Sequence, residues 1–301
     1  MARFRWLVSL VVLSGCGIGV TIGGGGGLTD SDEALSTVKA GFVTIQHDAR
    51  KCAAPLCGGY FLSQPNHSLA PIYVAELDFS QSNLADAEVQ KLVDAPEAEV
   101  LLFGKLTRQS RSTHTRNFIV LDAYRGMPGR TAAEGDAFYS VASNGRQCFA
   151  APCNALTATK VSSTAKAKDF TTLSVASAAA AFVDEAWLSH RALDGGAIVA
   201  ATFVSGEKYP AGTEKVLDAS QVFVHLPESS GMCPHHVSAC SGGQVNVYQR
   251  NTDRCVIDEG CEAPGMCSMM MPACPEGYVL SSWRDADNNA CPKYACDPAW
   301  L

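Results

Sequence analysis

Basic residues are in the minority. There are 23 Lys+Arg against 30 Asp+Glu, a formal charge of −7, and charged residues make only 18% of the 301. A nucleic-acid groove or a polybasic lipid-binding face needs clustered Lys/Arg, so no nucleic-acid partner is expected. Membrane-spanning length is missing too: the apolar stretch 6–13 has eight residues, too few to cross ~30 Å of hydrocarbon. Catalytic signatures are absent as well. No Gly-x-Ser-x-Gly, His-Glu-x-x-His or dinucleotide fingerprint occurs, and the five glycines at 23–27 lack the Lys-Ser/Thr of a phosphate loop. No enzyme activity and no cofactor are predicted.

Apolar residues make 47% of the chain, enough for packed cores, and the length suits roughly two domains of ~150 residues. Thirteen cysteines point to an oxidising compartment. The chain starts with Arg3 and Arg5, continues through the apolar run and reaches Leu13-Ser14-Gly15-Cys16. That pattern resembles the lipobox of bacterial lipoproteins, which implies cleavage after residue 15 and diacylglycerol on Cys16. Ordinary secretion is the competing reading. Gly17 in place of Asp favours the outer membrane by the sorting habit of such lipoproteins. The expected localisation is therefore the cell envelope, with the membrane as a partner through the lipid. Residues 16–37 read as the lipidated Cys and a Gly-rich tether. Without Cys16, twelve cysteines remain, an even number that can pair fully.

An internal repeat follows. Arg50-Lys51-Cys52-Ala53-Ala54-Pro55-Leu56-Cys57 returns 96 residues later as Arg146-Gln147-Cys148-Phe149-Ala150-Ala151-Pro152-Cys153. The same shift sets 121–123 on 217–219, and Asp78-Phe79 matches Asp169-Phe170 after a gap. Two related domains, 38–128 and 129–228, are predicted, each an α+β unit of one antiparallel sheet and one helix. The helical faces are read as Ala85, Val89, Leu92 and Val93, capped through Asn83, and Val175, Ala179, Phe182 and Ala186.

From about 229 the composition changes to two four-cysteine modules, 229–265 with Cys233, Cys240, Cys255 and Cys261, and 266–301 with Cys267, Cys274, Cys291 and Cys296. Each copy is only ~34 residues long and so relies on disulfides. Three connectivities are open in each.

The motif Arg50-Lys51-Cys52-x-x-Pro55-Leu56-Cys57-Gly58-Gly59-Tyr60 is followed by 73–78. With Asn144-Gly145-Arg146-x-Cys148-x-x-x-Pro152-Cys153, it resembles a recurrent domain of bacterial lipoproteins of unknown function, over residues 38–228. The tail ending Cys291-Pro292-x-x-x-Cys296-Asp297-Pro298 is similar to tails on such proteins. The resemblance implies no activity.

Other constellations compete with plainer readings. The Cys52/Cys57 and Cys148/Cys153 pairs are spaced by four residues, not the two of a redox site, so structural disulfides are expected. Cys233-Pro234-His235-His236-x3-Cys240 carries zinc-ligand types, but outside a reducing cell disulfides with solvated histidines are the reading; no metal is predicted. Asp285-Ala286-Asp287-Asn288-Asn289 begins like a calcium loop but lacks the Gly and the final Glu, which leaves a polar turn. Met269-Met270-Met271 reads as a hydrophobic patch, and His47-Asp48 as a strand end.

The leading functional expectation is an outer-membrane lipoprotein with a non-enzymatic binding or envelope-structural role and a possible protein partner. A protease inhibitor presenting Ala53-Ala54-Pro55-Leu56 is the first alternative. An enzyme with an unfamiliar site, needing His47 and Asp48, is the second.

Overall fold

The computed structural model describes residues 35–228, 233, 236–268 and 270–301. Cys16, the signal stretch, nearly all of the tether, His235 and Met269 lie outside the described residues. The first half runs β1 (Gly41–His47), β2 (Tyr60–Ser63), β3 (Ile72–Val74), β4 (Glu76–Asp78), α1 (Asp86–Val93), β5 (Val100–Leu106) and β6 (Asn117–Gly126). The second repeats that order as β7 (Ala137–Ser143), β8 (Leu156–Lys160), β9 (Lys168–Phe170), β10 (Thr172–Ser174), α2 (Glu185–Leu193), β11 (Ala197–Tyr209) and β12 (Gly212–Leu226).

The expected fold class is corrected here. The halves are not two α+β domains with separate antiparallel sheets. All twelve strands make one sheet, in the order β3-β2-β1-β5-β6-β12-β11-β7-β8-β9, with β4 beside β6 and β10 beside β12. The protein is mostly β, with α-helices of only eight and nine residues among the described residues. The join is the antiparallel pairing of β6 with β12, Ala123 facing Leu226 and Gly126 facing Phe223. Each strand would otherwise present an unpaired apolar edge, and pairing them removes both edges at once. The β4 and β10 pairings are parallel, so the sheet is mixed.

The strand registers refine the repeat. Leu62 faces Ile72 and Ala158 faces Lys168, an offset of 96 (158 against 62). In the last strand the offset is 99, because Phe118 beside Leu77 corresponds to Leu217 beside Leu173. The matches of 121–123 with 217–219, and of Asp78-Phe79 with Asp169-Phe170, therefore do not hold. Asp169 occupies the register position of Tyr73. A bulge falls at Phe103/Gly104 in one half and at Ala200/Ala201 in the other.

Side chains alternate along the strands into three cores. One face of the first half packs Val43, Leu62, Val74, Leu102, Phe118 and Val120 against Leu92 of α1. The same face of the second half packs Phe170, Val199, Leu217 and Val222 around Trp187 and Leu188 of α2. The opposite face gathers Phe42, Leu101, Phe138, Ile198 and Phe223 from both halves into one cluster. The sheet must curl around that cluster, because its arms touch. The Asn66 side chain donates to Phe138 O and Val161 O, both at 2.9 Å, and accepts from Phe138 N at 3.0 Å. Reciprocally, Phe42 N donates to Ser162 Oγ at 3.0 Å. Phe42 and Phe138, like Asn66 and Ser162, stand 96 apart, and both hydrogen-bonding residues have positive φ, 68° and 52°. Asn66→Ala removes three hydrogen bonds and a residue suited to that backbone, so it is expected to cost about 2–3 kcal/mol. A urea melt checks this; a loss within about 0.5 kcal/mol of zero would mean that the cluster alone closes the sheet.

Both helix expectations need correction. The cap of α1 is Ala85, not Asn83, and the Glu88 carboxylate reaches back to accept from Ala85 N at 2.8 Å. Of the four residues predicted for the second helix face, only Ala186 lies in α2. Val175 and Ala179 are buried in turns before it, and Phe182 sits at φ 62° with 57% of its surface exposed. Asp184 then caps α2 by accepting from Trp187 N at 3.1 Å.

The tail forms two hairpins, β13 (Val245–Arg250) with β14 (Val256–Glu262), and β15 (Tyr278–Arg284) with β16 (Pro292–Pro298). In each module the first cysteine bonds the third and the second bonds the fourth: Cys233–Cys255, Cys240–Cys261, Cys267–Cys291 and Cys274–Cys296. The second module is not free-standing. Tyr278 and Cys296 belong to the α2 core, with Trp300 packed against it. Cys296 N donates to Phe182 O at 2.8 Å, and Tyr278 Oη donates to Pro128 O at 3.2 Å.

Candidate functional site: two disulfide-closed hairpin tips

The β1–β2 and β7–β8 connections carry the repeated cysteine motif. In the first, Asp48 ends the strand 2% exposed, and its carboxylate receives Arg50 Nε at 2.9 Å and Nη2 at 2.8 Å. Arg50 N also donates to Asp48 Oδ1 at 3.0 Å, which sets the turn. The guanidinium lies over two rings, Phe61 at 5.2 Å and Tyr73 at 5.3 Å, contacts that favour a cation. The Arg50 hydrogen bond holds the Asp48 carboxyl below its usual range, against the opposing effect of burial. Cys52–Cys57 closes the loop, Leu56 N donates to Ala53 O at 3.1 Å, and Tyr73 Oη donates to Pro55 O at 3.0 Å. Gly59 is required beside it, since a β-carbon there would meet Val74 O at 2.1 Å. What this anchored loop displays is Leu56, 60% exposed.

The second tip is built at the same positions with different chemistry. Asn144 stands for Asp48 and accepts from Arg146 N at 3.1 Å. Asp169 stands for Tyr73 and holds Arg146 as an ion pair at 2.8 Å. Thr157 stands for Phe61 and donates to Asp169 at 2.7 Å. The Thr157 hydrogen bond, with Arg146 beside it, lowers the Asp169 pKa although burial works against this. Cys148–Cys153 closes the loop, and Phe149 projects fully into solvent. Each loop is thus fixed by a disulfide and a clamped arginine and carries an apolar residue outward.

The other predicted positions fall as follows. Asp48 is committed to Arg50, while His47 donates only its backbone N–H, to Glu97 at 2.6 Å, and sets its ring edge-on to Tyr60. The two are not assembled as an acid–base pair. Cys233 and Cys240 are bonded to other cysteines. Among the described residues no group of three or more His, Cys, Asp or Glu could hold a metal ion. Asp285 pairs with Lys293 at 2.9 Å at the head of a one-turn 3-10 helix (Ala286–Asn288). Met270 and Met271 are exposed and line a groove with Phe182 and Tyr294.

The sequence reading missed the seam between body and tail. Arg125 lies buried against Glu99 at 3.0 Å, and burial lowers its pKa while Glu99 opposes that. Glu99 also accepts from Gly129 N at 2.8 Å, and Gln221, fully buried, binds Met127 N at 2.9 Å and Arg130 O at 2.7 Å. These contacts fix the link between β6 and β7. Beside it a cleft of about 630 Å³ is lined by Lys91, Pro96, Arg125, Glu276, Gly277 and Trp300. No spacing rule brings Glu99, Arg125 and Gln221 together. Tyr73 and Asp169 emerge as partners of the two arginines only once the strand registers are known.

Residues 41–229 match the family described as a domain of unknown function, DUF6748. The chain belongs to this family. Both hairpin tips lie inside the matched span. An uncharacterised protein of Dictyostelium discoideum is 25% identical over 272 residues, covering 88% of this chain and 90% of that protein. That share is larger than the family span, so the likeness extends beyond the twelve-stranded body. No solved structure matches.

Proposed function

We propose that the protein is a lipoprotein, held in the outer membrane through Cys16, that acts by binding another protein and not by catalysis. The observation that carries this reading is the pair of tips. A loop that is pre-ordered by a disulfide and a clamped arginine loses little entropy on docking, and each exposes an apolar residue, Leu56 or Phe149. Six disulfides suit an oxidising envelope compartment. The repeated element order and the reciprocal Asn66 and Ser162 contacts support descent of both halves from one duplicated unit. For the inhibitor alternative, a protease cleft takes an extended segment, whereas Ala53–Leu56 is a tight turn. That geometry favours a docking knob over a substrate-like strand.

Anchoring is tested by the intact mass of detergent-extracted native protein. A lipid-sized increment on a chain starting at Cys16, with no thiol alkylated before reduction, is the expected result; an unmodified chain would remove the anchor. Binding is tested by in-cell crosslinking from the tips. A partner adduct lost in Leu56→Asp or Phe149→Asp, both exposed changes that leave the melt unaltered, is expected. Adducts insensitive to both substitutions would sink the docking role.

A further inference from the structure

The second half differs from the first in the length of its last hairpin. β11 and β12 have 13 and 15 residues, whereas β5 and β6 have 7 and 10. The extra length builds a wall beside β9 and leaves a cleft of about 440 Å³ lined by Lys168, Asp169, Phe203, Val204, Ser205 and Lys215. That volume is in the range of small-ligand sites. In the first half Ile72 and Leu106 occupy the register positions of Lys168 and Phe203, so the cleft belongs to one half only.

Its chemistry is unusual for a chain of charge −7. Lys168 and Lys215 are exposed, as are Lys166 and Lys208 on the same two hairpins. None of the four has a carboxylate partner among the described residues. Of the neighbouring acids, Asp169 is paired with Arg146 and held by Thr157, while Glu214 and Glu207 accept from the Thr172 and Tyr209 hydroxyls and keep their charge. Lys168 Nζ sits 5.2 Å above the Phe203 ring, on the face that Ser205 and Lys215 share by strand alternation. Lys168 and Lys215 line the cleft, and with Lys166 and Lys208 on the same hairpins they outnumber Glu207 and Glu214, which leaves a positive local field in a negative molecule. Such a field favours an extended anion, and the aromatic ring of Phe203 suits the C–H face of a sugar ring.

We propose that this cleft binds an acidic polysaccharide, with Lys168 and Lys215 meeting its carboxylate or sulfate groups, Phe203 a ring face, and Ser205 a hydroxyl. A concave site with an aromatic side chain fits a chain-like polyanion better than a flat lipid surface. Titration calorimetry of the full chain, disulfides intact, tests this with polygalacturonate, dextran sulfate and neutral dextran. Binding to the two acidic polymers but not to neutral dextran is expected. It should weaken at least tenfold in Lys168→Glu/Lys215→Glu, with a shallower dependence on salt because fewer counterions are released. The same reversal in an unchanged thermal melt shows that the fold survives. No binding at 0.15 M salt, or binding untouched by the reversal, would overturn the proposal. So would equal or tighter binding to duplex DNA or to phosphatidylglycerol vesicles that the reversal abolishes.

Discussion

Glu228→Ala is expected to destabilise the protein by about 3–5 kcal/mol, because it strands a buried guanidinium. Arg191 of α2 and Glu228 are each 9% exposed, and Arg191 Nε donates to Glu228 Oε1 at 2.7 Å. Burial lowers the Arg191 pKa, but hydrogen bonding to Glu228 and then to Asp194 outweighs it, so the net direction is upward. Glu228 also accepts from Trp187 Nε1 at 3.3 Å, the largest fully buried side chain of the second half. Around this pair stand Asp194 at 3.2 Å, Asp253 of the tail at 3.3 Å, and Arg254, whose guanidinium lies 5.2 Å over Trp187. Removing the carboxylate leaves Arg191 with half-exposed partners only and two further cations, Arg250 and Arg254, nearby. Urea unfolding measures the loss. Replacing both partners, Arg191→Leu with Glu228→Leu, should recover much of it, since the penalty lies in the unpaired charge. A loss under about 1 kcal/mol for Glu228→Ala would mean that Asp194 and Asp253 compensate fully.

How far this was legible depends on the range of the interaction. Strands are legible in apolar stretches because alternation is local, as in Val100–Leu106 and Asn117–Gly126. The repeat was visible through its cysteines, whose spacing a closed loop must keep. What could not be read was that the halves share one sheet. β6 carries the same pattern whether its outer edge meets β12 or solvent, so alternation does not disclose an edge partner. The second helix was misread because Val175, Ala179 and Phe182 have helical spacing by coincidence; a left-handed Phe182 and the Asp184 cap override it. At the tips, Arg50 and Arg146 were noticed, but their clamps, Tyr73 and Asp169, are 23 residues away in sequence and required strand register to find. The lysine cleft was invisible for a related reason. Its lining cations, Lys168 and Lys215, come from two hairpins and are 47 residues apart in sequence.

The disulfides should differ in weight, and the tail pair nearest the core should matter most. Loop-closure entropy assigns about 2.2 kcal/mol to a bond spanning five residues and about 3.4 kcal/mol to one spanning about twenty-two. Cys52–Cys57 has a separation of 5 and sits in an exposed tip, whereas Cys274–Cys296 has a separation of 22. Cys296 is fully buried in the α2 core beside Tyr278, and its N–H holds Phe182 O. Replacing Cys274 and Cys296 by Ala therefore loses the cross-link and also loosens packing around Trp300 and Trp187. A loss of about 3–5 kcal/mol is expected, against about 2 kcal/mol for Cys52→Ala/Cys57→Ala. The β15–β16 hairpin has too little apolar area to stand without its staples, so the first variant should also raise hydrogen exchange across 278–298 and into 175–193. The second should leave exchange there unchanged and free only the tip. Equal losses in both variants, or exchange confined to the tail in the first, would show that the second module rests on the body without supporting it.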